Sequence, residues 1–386
     1  MSEGAHGGIR LTNEQRSAFH WLNAPSLKRV ISALESAEAG SARFVGGCVR
    51  DSLLGVTPKD FDIATTLEPG AVTAALKKGG LRAAPTGVEH GTITAIVDHQ
   101  GVEVTTLRAD VSTDGRRATV AFTTDWSVDA GRRDFTINAI YLTPDGQLFD
   151  PVGGVADAGA KCVRFIGDAA GRIREDYLRI LRFFRFTARF SERFDAAGLS
   201  ACAELKGGMT QLSAERIGAE TMNILSLPRA TFALEAMHDA GVLKIIWPEG
   251  VDIAAVERLK LAEPAAPAPL VLAALYGEGG DGLGARLRLS NAEKVLRSSA
   301  LKGAAQIDPS LDEQGARVMI YRLGKDVFAD SVALACAFQK IAEKDHQRLK
   351  DIVDQWSPPD PLWQKSSAQL KCNGFPRGFL TRPGLR

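Results

Sequence analysis

The spacing of apolar positions changes once along the chain. Up to about residue 165 short apolar stretches recur with a period near two, as in RFV (43–45), DFDIA (60–64), ITAIV (93–97) and VEVTTL (102–107). That is the period of half-buried strands. Strands are therefore expected at 43–45, 60–64, 93–97 and 102–107, with a helix around 69–78 opened by Pro69 and a turn at His99-Gln100-Gly101 joining two antiparallel strands. Residues 10–40 read as helical, with N-caps at Thr12 or Asn13 and at Ser26. From about residue 168 the period lengthens to three and four, and amphipathic helices are expected at 171–190, 196–205, 213–226 and 229–243. AEPAAPAP (262–269) reads as a linker or rigid turn. The fold class is α+β, a small mixed-sheet head with helices followed by an all-helical remainder.

Chemistry concentrates where the first rhythm is strongest. A short strand ending at Val45 meets Gly46 and Gly47 just before a helical segment, which presents free backbone N–H groups to a phosphate. Asp60 and Asp62 follow, and on a strand they share one face while Phe61 and Ile63 take the other. Two carboxylates so close repel unless cations lie between them, and a pair of Mg²⁺ ions held by Asp60 and Asp62 resolves this. A lone DxD is usually a solvated turn, and Gly-Gly alone is a turn. Their order, with Arg50, Asp51 and a helix stop at Gly55 between them, is what points to a phosphate site. Glu103 is the candidate third carboxylate, standing on a strand whose other face carries Val102, Val104 and Thr106.

Downstream, Arg132 and Arg133 offer forked donors for a triphosphate, and Asp134 beside them is an acceptor for a ribose hydroxyl. Between Arg172 and Arg193 seven arginines face three acids. Asp176 and Arg179, three apart on the expected helix, pair an acceptor with a donor. Cytosine and adenine present an amine beside a ring acceptor, whereas uracil and guanine present a carbonyl beside an N–H. One fixed Asp–Arg pair would accept the first two bases and reject the others. Arg182, Arg185 and Arg189 continue the stripe; a solvated helix face is its plain reading, and contact of Arg185 and Arg189 with RNA phosphates its functional one.

Composition adds limits. The net charge of the 386 residues is +1, so any nucleic-acid partner must be held by local patches. The five cysteines lack C-x-x-C spacing, which argues against a zinc site or a disulfide framework. No run of about eighteen apolar residues occurs and the first residues lack the apolar core of a secretory signal, so no membrane partner and a cytoplasmic location are expected. Residues 361–386 carry Lys365, Lys371, Arg377, Arg382 and Arg386 without an acid, either a basic tail that touches RNA or an inert terminus.

The strings GGCVRDSLLG and DFD, HGT followed by VEVTTLR, RRDFTINA, and EDYLRILR together resemble the class II CCA-adding tRNA nucleotidyltransferases and bacterial poly(A) polymerases, and the likeness extends through LSAERIGAE (212–220) and LEAMHDAGVLKIIWPE (234–249). The resemblance implies a polymerase-beta-like nucleotidyltransferase head with catalytic Asp60, Asp62 and Glu103, and nucleotide contacts from Gly46, Gly47, Arg50, Arg132, Arg133, Asp134, Asn138, Asp176, Arg179 and Arg182. In that family the Asp and first Arg of EDYLRILR act as a protein template, Arg182 contacts phosphate or supports the pair, and residues 108–131 form a mobile loop over the site. The implied organisation is an N-terminal extension (1–30), the head (31–165), a base-reading neck (166–228) and a tRNA-binding body and tail (229–386). The implied reaction adds CMP and AMP to the tRNA 3′ end from CTP and ATP. PTGVEHGTITAIV (85–97) lacks the basic G-R-R-F-like string of the poly(A) polymerases, which favours CCA addition; an A-only or CC-only enzyme stays open. Two further alternatives are an HD-type phosphohydrolase, from His238-Asp239, and a non-catalytic RNA binder.

Overall fold

The period-two segments pair into one mixed sheet. In the computed structural model, which describes residues 9–113, 118–277 and 286–357, β1 (Ile9–Arg10), β2 (Ala42–Val45), β3 (Asp62–Thr65), β4 (Arg82–Gly87), β5 (Thr92–Val97), β6 (Gln100–Thr106), β9 (Tyr141–Leu142) and β10 (Gln147–Phe149) run in the order β1-β10-β9-β2-β3-β6-β5-β4. The pairs are antiparallel except β3 with β6, which is parallel and sets Asp62 opposite Glu103. β7 (Arg108–Thr113) and β8 (Ala118–Phe122) form a separate hairpin. Alternation holds on β6, where Val102, Val104 and Thr106 are buried and Glu103 is exposed.

Three local expectations shift. β3 starts at Asp62, so Asp60 precedes the strand. Its partner β2 stops at Val45, where Gly46 turns the chain at φ +71° into α3 (Gly47–Leu53) and leaves residues 60 and 61 nothing to pair with. The turn between β5 and β6 is Asp98-His99, both at positive φ, because Val97 already pairs with Gln100. Residues 108–131 contain β7, β8 and α5 (Trp126–Gly131) rather than a simple loop; positions 114–117 of that expectation lie outside the described residues.

Helices cover the sheet. α1 (Asn13–Ala18) is capped by Thr12 in a capping box, whereas α2 (Pro25–Glu35) opens at Pro25 after Ala24, not at Ser26, since Pro fits the first helical position. α2 packs with α4 (Pro69–Lys78), and both meet β5. Trp21 donates its indole N–H to Ser52 at 2.8 Å, fastening the N-terminal extension to α3.

After α6 (Gly154–Gly159) come α7 (Ala169–Glu175), α8 (Leu178–Phe190), α9 (Ala196–Leu205), α10 (Ala214–Leu225), α11 (Ala230–Asp239) and α12 (Leu243–Ile246). The helix expected over 171–190 is two helices. Asp176 lies between them with extended backbone, and its carboxylate accepts the Leu178 N–H at 3.1 Å, a local bond across the break. α8 buries Phe183, Phe184, Phe186 and Phe190, each contributing about 2 kcal/mol. Phe135 of RRDFTINA packs on Phe165, Phe183 and Phe186 with ring centroids 4.9–6.2 Å apart.

The chain divides into two compact units, one through Gly250 and one from Val251. α11, expected with the body, packs on α8 inside the first. The second unit contains α13 (Ile253–Ala262), α14 (Ala268–Tyr276) and helices Asn291–Ala305, Glu313–Leu323, Lys325–Ala337 and Glu343–Gln355. Lys325–Ala337 buries Phe328, Val332, Ala333 and Leu334 among its neighbours. Of the 262–269 segment, residues 263–267 form the turn between α13 and α14, held by Lys260, whose ammonium donates to the Ala266 carbonyl at 3.2 Å. The basic segment 361–386 lies outside the described residues.

Candidate active site

Gly46 at φ +71° is reachable at little cost only by glycine. A Cβ there would sit 3.7 Å from Arg133 Nη1, and one on Gly47 would sit 3.8 Å from Arg50 Nη2, so the two glycines keep space open in front of two guanidinium groups. The acids lie at the neighbouring strand end. Asp62 is half-buried, and Asp60 and Glu103 are exposed. Burial pushes the Asp62 carboxyl up, and the charges of Glu103 and Asp60 push it further, against Arg133 and Arg50. This edge therefore carries unbalanced negative charge. Among the described residues no three His, Cys, Asp or Glu side chains converge as a ready-made cage. Two carboxylates completed by phosphate oxygens and water are a donor set that suits Mg²⁺, and the residues present fit it.

Behind the glycine turn Arg132 and Arg133, expected as triphosphate donors, gather as a hub on a buried acid that the sequence reading missed. Asp129 is 1% exposed. Its Oδ1 accepts from Arg132 Nη2 at 2.6 Å, and its Oδ2 accepts from Arg133 Nη2 at 3.1 Å and the Tyr141 hydroxyl at 2.7 Å. Burial would raise its carboxyl, yet Arg133 and Arg132 bring it down to about 2. The signal was present in DAGRR, an acid three and four residues before two arginines on one helical turn. RRDFTINA is pinned from below: a Cβ on Gly154 would fall 2.1 Å from the Thr136 carbonyl oxygen, so α6 lies directly under it.

Arg50, Asp134 and Asn138, expected as nucleotide contacts, are 7%, 8% and 7% exposed and bond to one another. Arg50 donates to Asp51 Oδ1 at 2.8 Å and to Asn138 Oδ1 at 2.6 Å. Asn138 donates to Asp134 Oδ1 at 3.0 Å, and Asp134 Oδ2 accepts from Arg182 Nε at 2.7 Å. Arg182 also pairs with Glu220 at 3.5 Å, and Glu220 accepts from Arg185 Nε at 2.6 Å. At the other end of this series of bonds Arg189 meets Asp51 at 3.4 Å. This network ties α3, the RRDFTINA segment, α8 and α10 together. Arg50, Asp134 and Asn138 are buried and committed to these bonds, whereas the Arg182 and Arg189 side chains keep part of their surface, and spare N–H donors, open to solvent. The stripe read as a solvated or RNA-facing surface is thus partly spent inside the protein. Arg185 is 17% exposed in its side chain and Arg189 is 41%.

Asp176 and Arg179 do not pair, which corrects the expectation of one helical face, because the helix breaks between them. Arg179 donates to Glu175 Oε2 at 2.5 Å and to the carbonyls of Arg172 at 2.8 Å and Arg132 at 3.0 Å. Asp176 is held instead by Arg216 at 2.7 Å. Arg216 and Glu220 both lie in LSAERIGAE, a string legible as a motif but not as a set of partners. His238 is exposed and meets only Asp239, at 3.3 Å, among the described residues, so no phosphohydrolase site forms around it there.

Residues 42–164 match the poly A polymerase head domain, and residues 194–253 match the probable RNA and SrmB-binding site of polymerase A. Fold, acidic edge and arginine hub together define a nucleotidyltransferase. The chain is 38% identical over 359 residues to the mitochondrial CCA tRNA nucleotidyltransferase 1 of Mus musculus, covering 90% of this chain and 82% of that protein. Identity to the Homo sapiens protein of the same name is 36%, with the same coverage. The chain belongs to the CCA tRNA nucleotidyltransferase family. Its fold is similar to that of the Bacillus stearothermophilus CCA-adding enzyme in complex with CTP (TM-score 0.67, 24% identity, 86% of this chain and 82% of that one). It is also similar to the Thermotoga maritima CCA-adding enzyme complexed with tRNA (TM-score 0.69, 19% identity, 94% and 90%). No helix among the described residues is long and apolar enough to cross a membrane.

Proposed function

We propose that this chain adds CMP and AMP to the 3′ end of tRNA, using CTP and ATP. The observation that carries the reading is the excess negative charge at the head of β3, where Asp62 lies in register with Glu103 and its carboxyl is raised by burial, Glu103 and Asp60. Asp60 and Asp62 would hold two Mg²⁺ ions, which supply charge neutralisation to the triphosphate and lower the pKa of the attacking hydroxyl. Glu103 stands beside them to accept from that hydroxyl. Gly46 and Gly47 leave room for phosphates against Arg133, and Arg132 flanks them. The terminal ribose oxygen attacks the α-phosphate and pyrophosphate leaves. Asp176 accepts from the exocyclic amine of cytosine or adenine, and Arg179 donates to the ring nitrogen. Arg50, Asp134, Asn138 and Arg182 hold this arrangement together. We assign base reading to residues 166–228 and tRNA holding to 229–386, with Arg185 and Arg189 at the RNA side of the neck.

The test is incorporation into tRNA that ends before CCA, with each nucleoside triphosphate alone and in combination. Two C and one A, with U and G refused, are expected in the presence of Mg²⁺. Long A tails on any RNA would mark a poly(A) polymerase, and products stopping at CC, or needing CC beforehand, would mark a partial enzyme. The sequence reading gives a cytoplasmic location while the vertebrate relatives are named mitochondrial, and cell fractionation decides between them.

A further inference from the structure

Asp176 occupies an extended break between α7 and α8, at φ −156° and ψ 105°. No helical turn fixes its side chain, and a carboxylate's last torsion is broad. Two donors set its direction: the Leu178 N–H on Oδ1 at 3.1 Å, and Arg216 Nη2 on Oδ2 at 2.7 Å. An ionised carboxylate has about four lone-pair directions, so two remain for a nucleobase. Arg179, the other half of the base reader, is fixed independently by Glu175 and the carbonyls of Arg172 and Arg132. The donor is anchored to the head through Arg132 and to α7 through Arg172 and Glu175, whereas the acceptor is anchored to α10. Arg216 is well placed to be that anchor: it is the third residue of α10, whose start is capped by Ser213 accepting the Arg216 N–H.

We propose that Arg216 is a positioning residue for base choice, holding the Asp176 carboxylate at the angle at which it accepts an amine and leaves a carbonyl unsatisfied. This rests on the base-reading role proposed above for Asp176 and Arg179. Rejection of a wrong base depends on burying its polar edge against a fixed group of the wrong sense. A carboxylate free to swing into solvent relaxes that rejection. The ion pair is half exposed, at 46% for Arg216 and 31% for Asp176, so its value for stability is small and its loss is read in specificity.

The experiment measures kcat/KM for CTP, ATP, UTP and GTP on a tRNA primer, for the wild type, Arg216→Gln, Arg216→Lys, Asp176→Ala and the double variant Asp176→Ala/Arg216→Gln. Arg216→Gln should lower the CTP-to-UTP ratio by about tenfold, the scale of one charge-assisted hydrogen bond. Arg216→Lys should restore most of it. In the Asp176→Ala background, Arg216→Gln should change nothing further. Thermal melting and tRNA affinity should match the wild type throughout the Arg216 series. A wild-type ratio in Arg216→Gln alongside a lost ratio in Asp176→Ala would overturn this inference and leave the base-reading assignment standing. An additive loss in the double variant would overturn it too, since Arg216 would then act other than through Asp176. An unchanged ratio in Asp176→Ala would remove the base-reading assignment itself.

Discussion

The carboxylates of the head live under two opposite electrostatic regimes. Asp129 is 1% exposed, yet its carboxyl lies at about 2, because two guanidinium groups and a phenol surround it. Asp62 is less buried, yet its carboxyl is raised, by burial first and then by Glu103 and Asp60 beside it. Arg133 pairs with the first and bears on the second. The guanidinium groups proposed to face phosphate are thus held still by an internal counter-charge, while Asp62 has two acids beside it that outweigh the pull of Arg133 and Arg50. In the proposed reaction, a polyanion arriving with divalent cations would complete the acidic side without dismantling the basic one, and would need little reorganisation.

The largest effect should come from breaking the acidic side. Asp62→Ala should lower nucleotide incorporation by roughly a thousandfold or more, the scale seen when a key electrostatic group is lost. The same change removes one of three mutually repelling charges, so the urea midpoint without Mg²⁺ should stay level or rise. Single-turnover assays together with denaturation check both halves. A variant that loses stability and activity in parallel would mean Asp62 is an ordinary structural acid.

Breaking the basic side should reverse the balance of effects. Asp129→Asn leaves two guanidinium groups half-buried without their carboxylate. The shift from 3.8 to about 2 corresponds to about 2 kcal/mol at 1.36 kcal/mol per pKa unit. Because the folded pKa is depressed, that stabilisation is fully present above about pH 4 and is lost as pH falls toward 2. The difference in unfolding free energy between wild type and Asp129→Asn should therefore be flat from pH 5 to 7 and shrink below pH 4. A gap unchanged down to pH 2 would show that packing, not charge, makes the hub.

This contrast also separates what was legible from what was not. The acidic edge could be read because it is local: Asp60 and Asp62 stand two residues apart, and the alternation of VEVTTL placed Glu103 on a strand's polar face. The sheet core, the α4 helix and most of the later helices followed from periodicity for the same reason. What failed depended on partners distant in sequence. β3 begins at Asp62 only because β2 runs out at Gly46. Arg50 meets Asn138 across 88 positions, Arg182 meets Asp134 across 48, and Arg216 meets Asp176 across 40. An arginine stripe looks the same in sequence whether it faces water, RNA or buried acids. Asp176 and Arg179 are correctly spaced for a helical pair, and the extended backbone of Asp176 between α7 and α8 is what shows that no single helix carries both.

The smallest expected effect tests whether a raised carboxyl alone marks a site. In the second unit Asp330 has its carboxyl pushed up to about 6, by burial and by Asp326 and Glu263. It lines a cavity of about 210 Å³ with Glu263, His346 and Lys350. Electrostatically it resembles Asp62, but the Lys350 ammonium already pairs with the neighbouring Glu263, so a cation of the protein itself sits among these acids. Its folded pKa exceeds the unfolded one, so the favourable protonated state is present below about pH 4 and is lost as pH rises through 6. Asp330→Asn should match the wild type in stability at pH 4, exceed it modestly above pH 6, and keep full activity. Mg²⁺ with CTP should raise the melting temperature of Asp330→Asn as much as that of the wild type, whereas Asp62→Ala should lose this protection. Equal loss in both variants would mean that unbalanced charge does not distinguish the acidic edge of the head from a merely uncomfortable acid elsewhere.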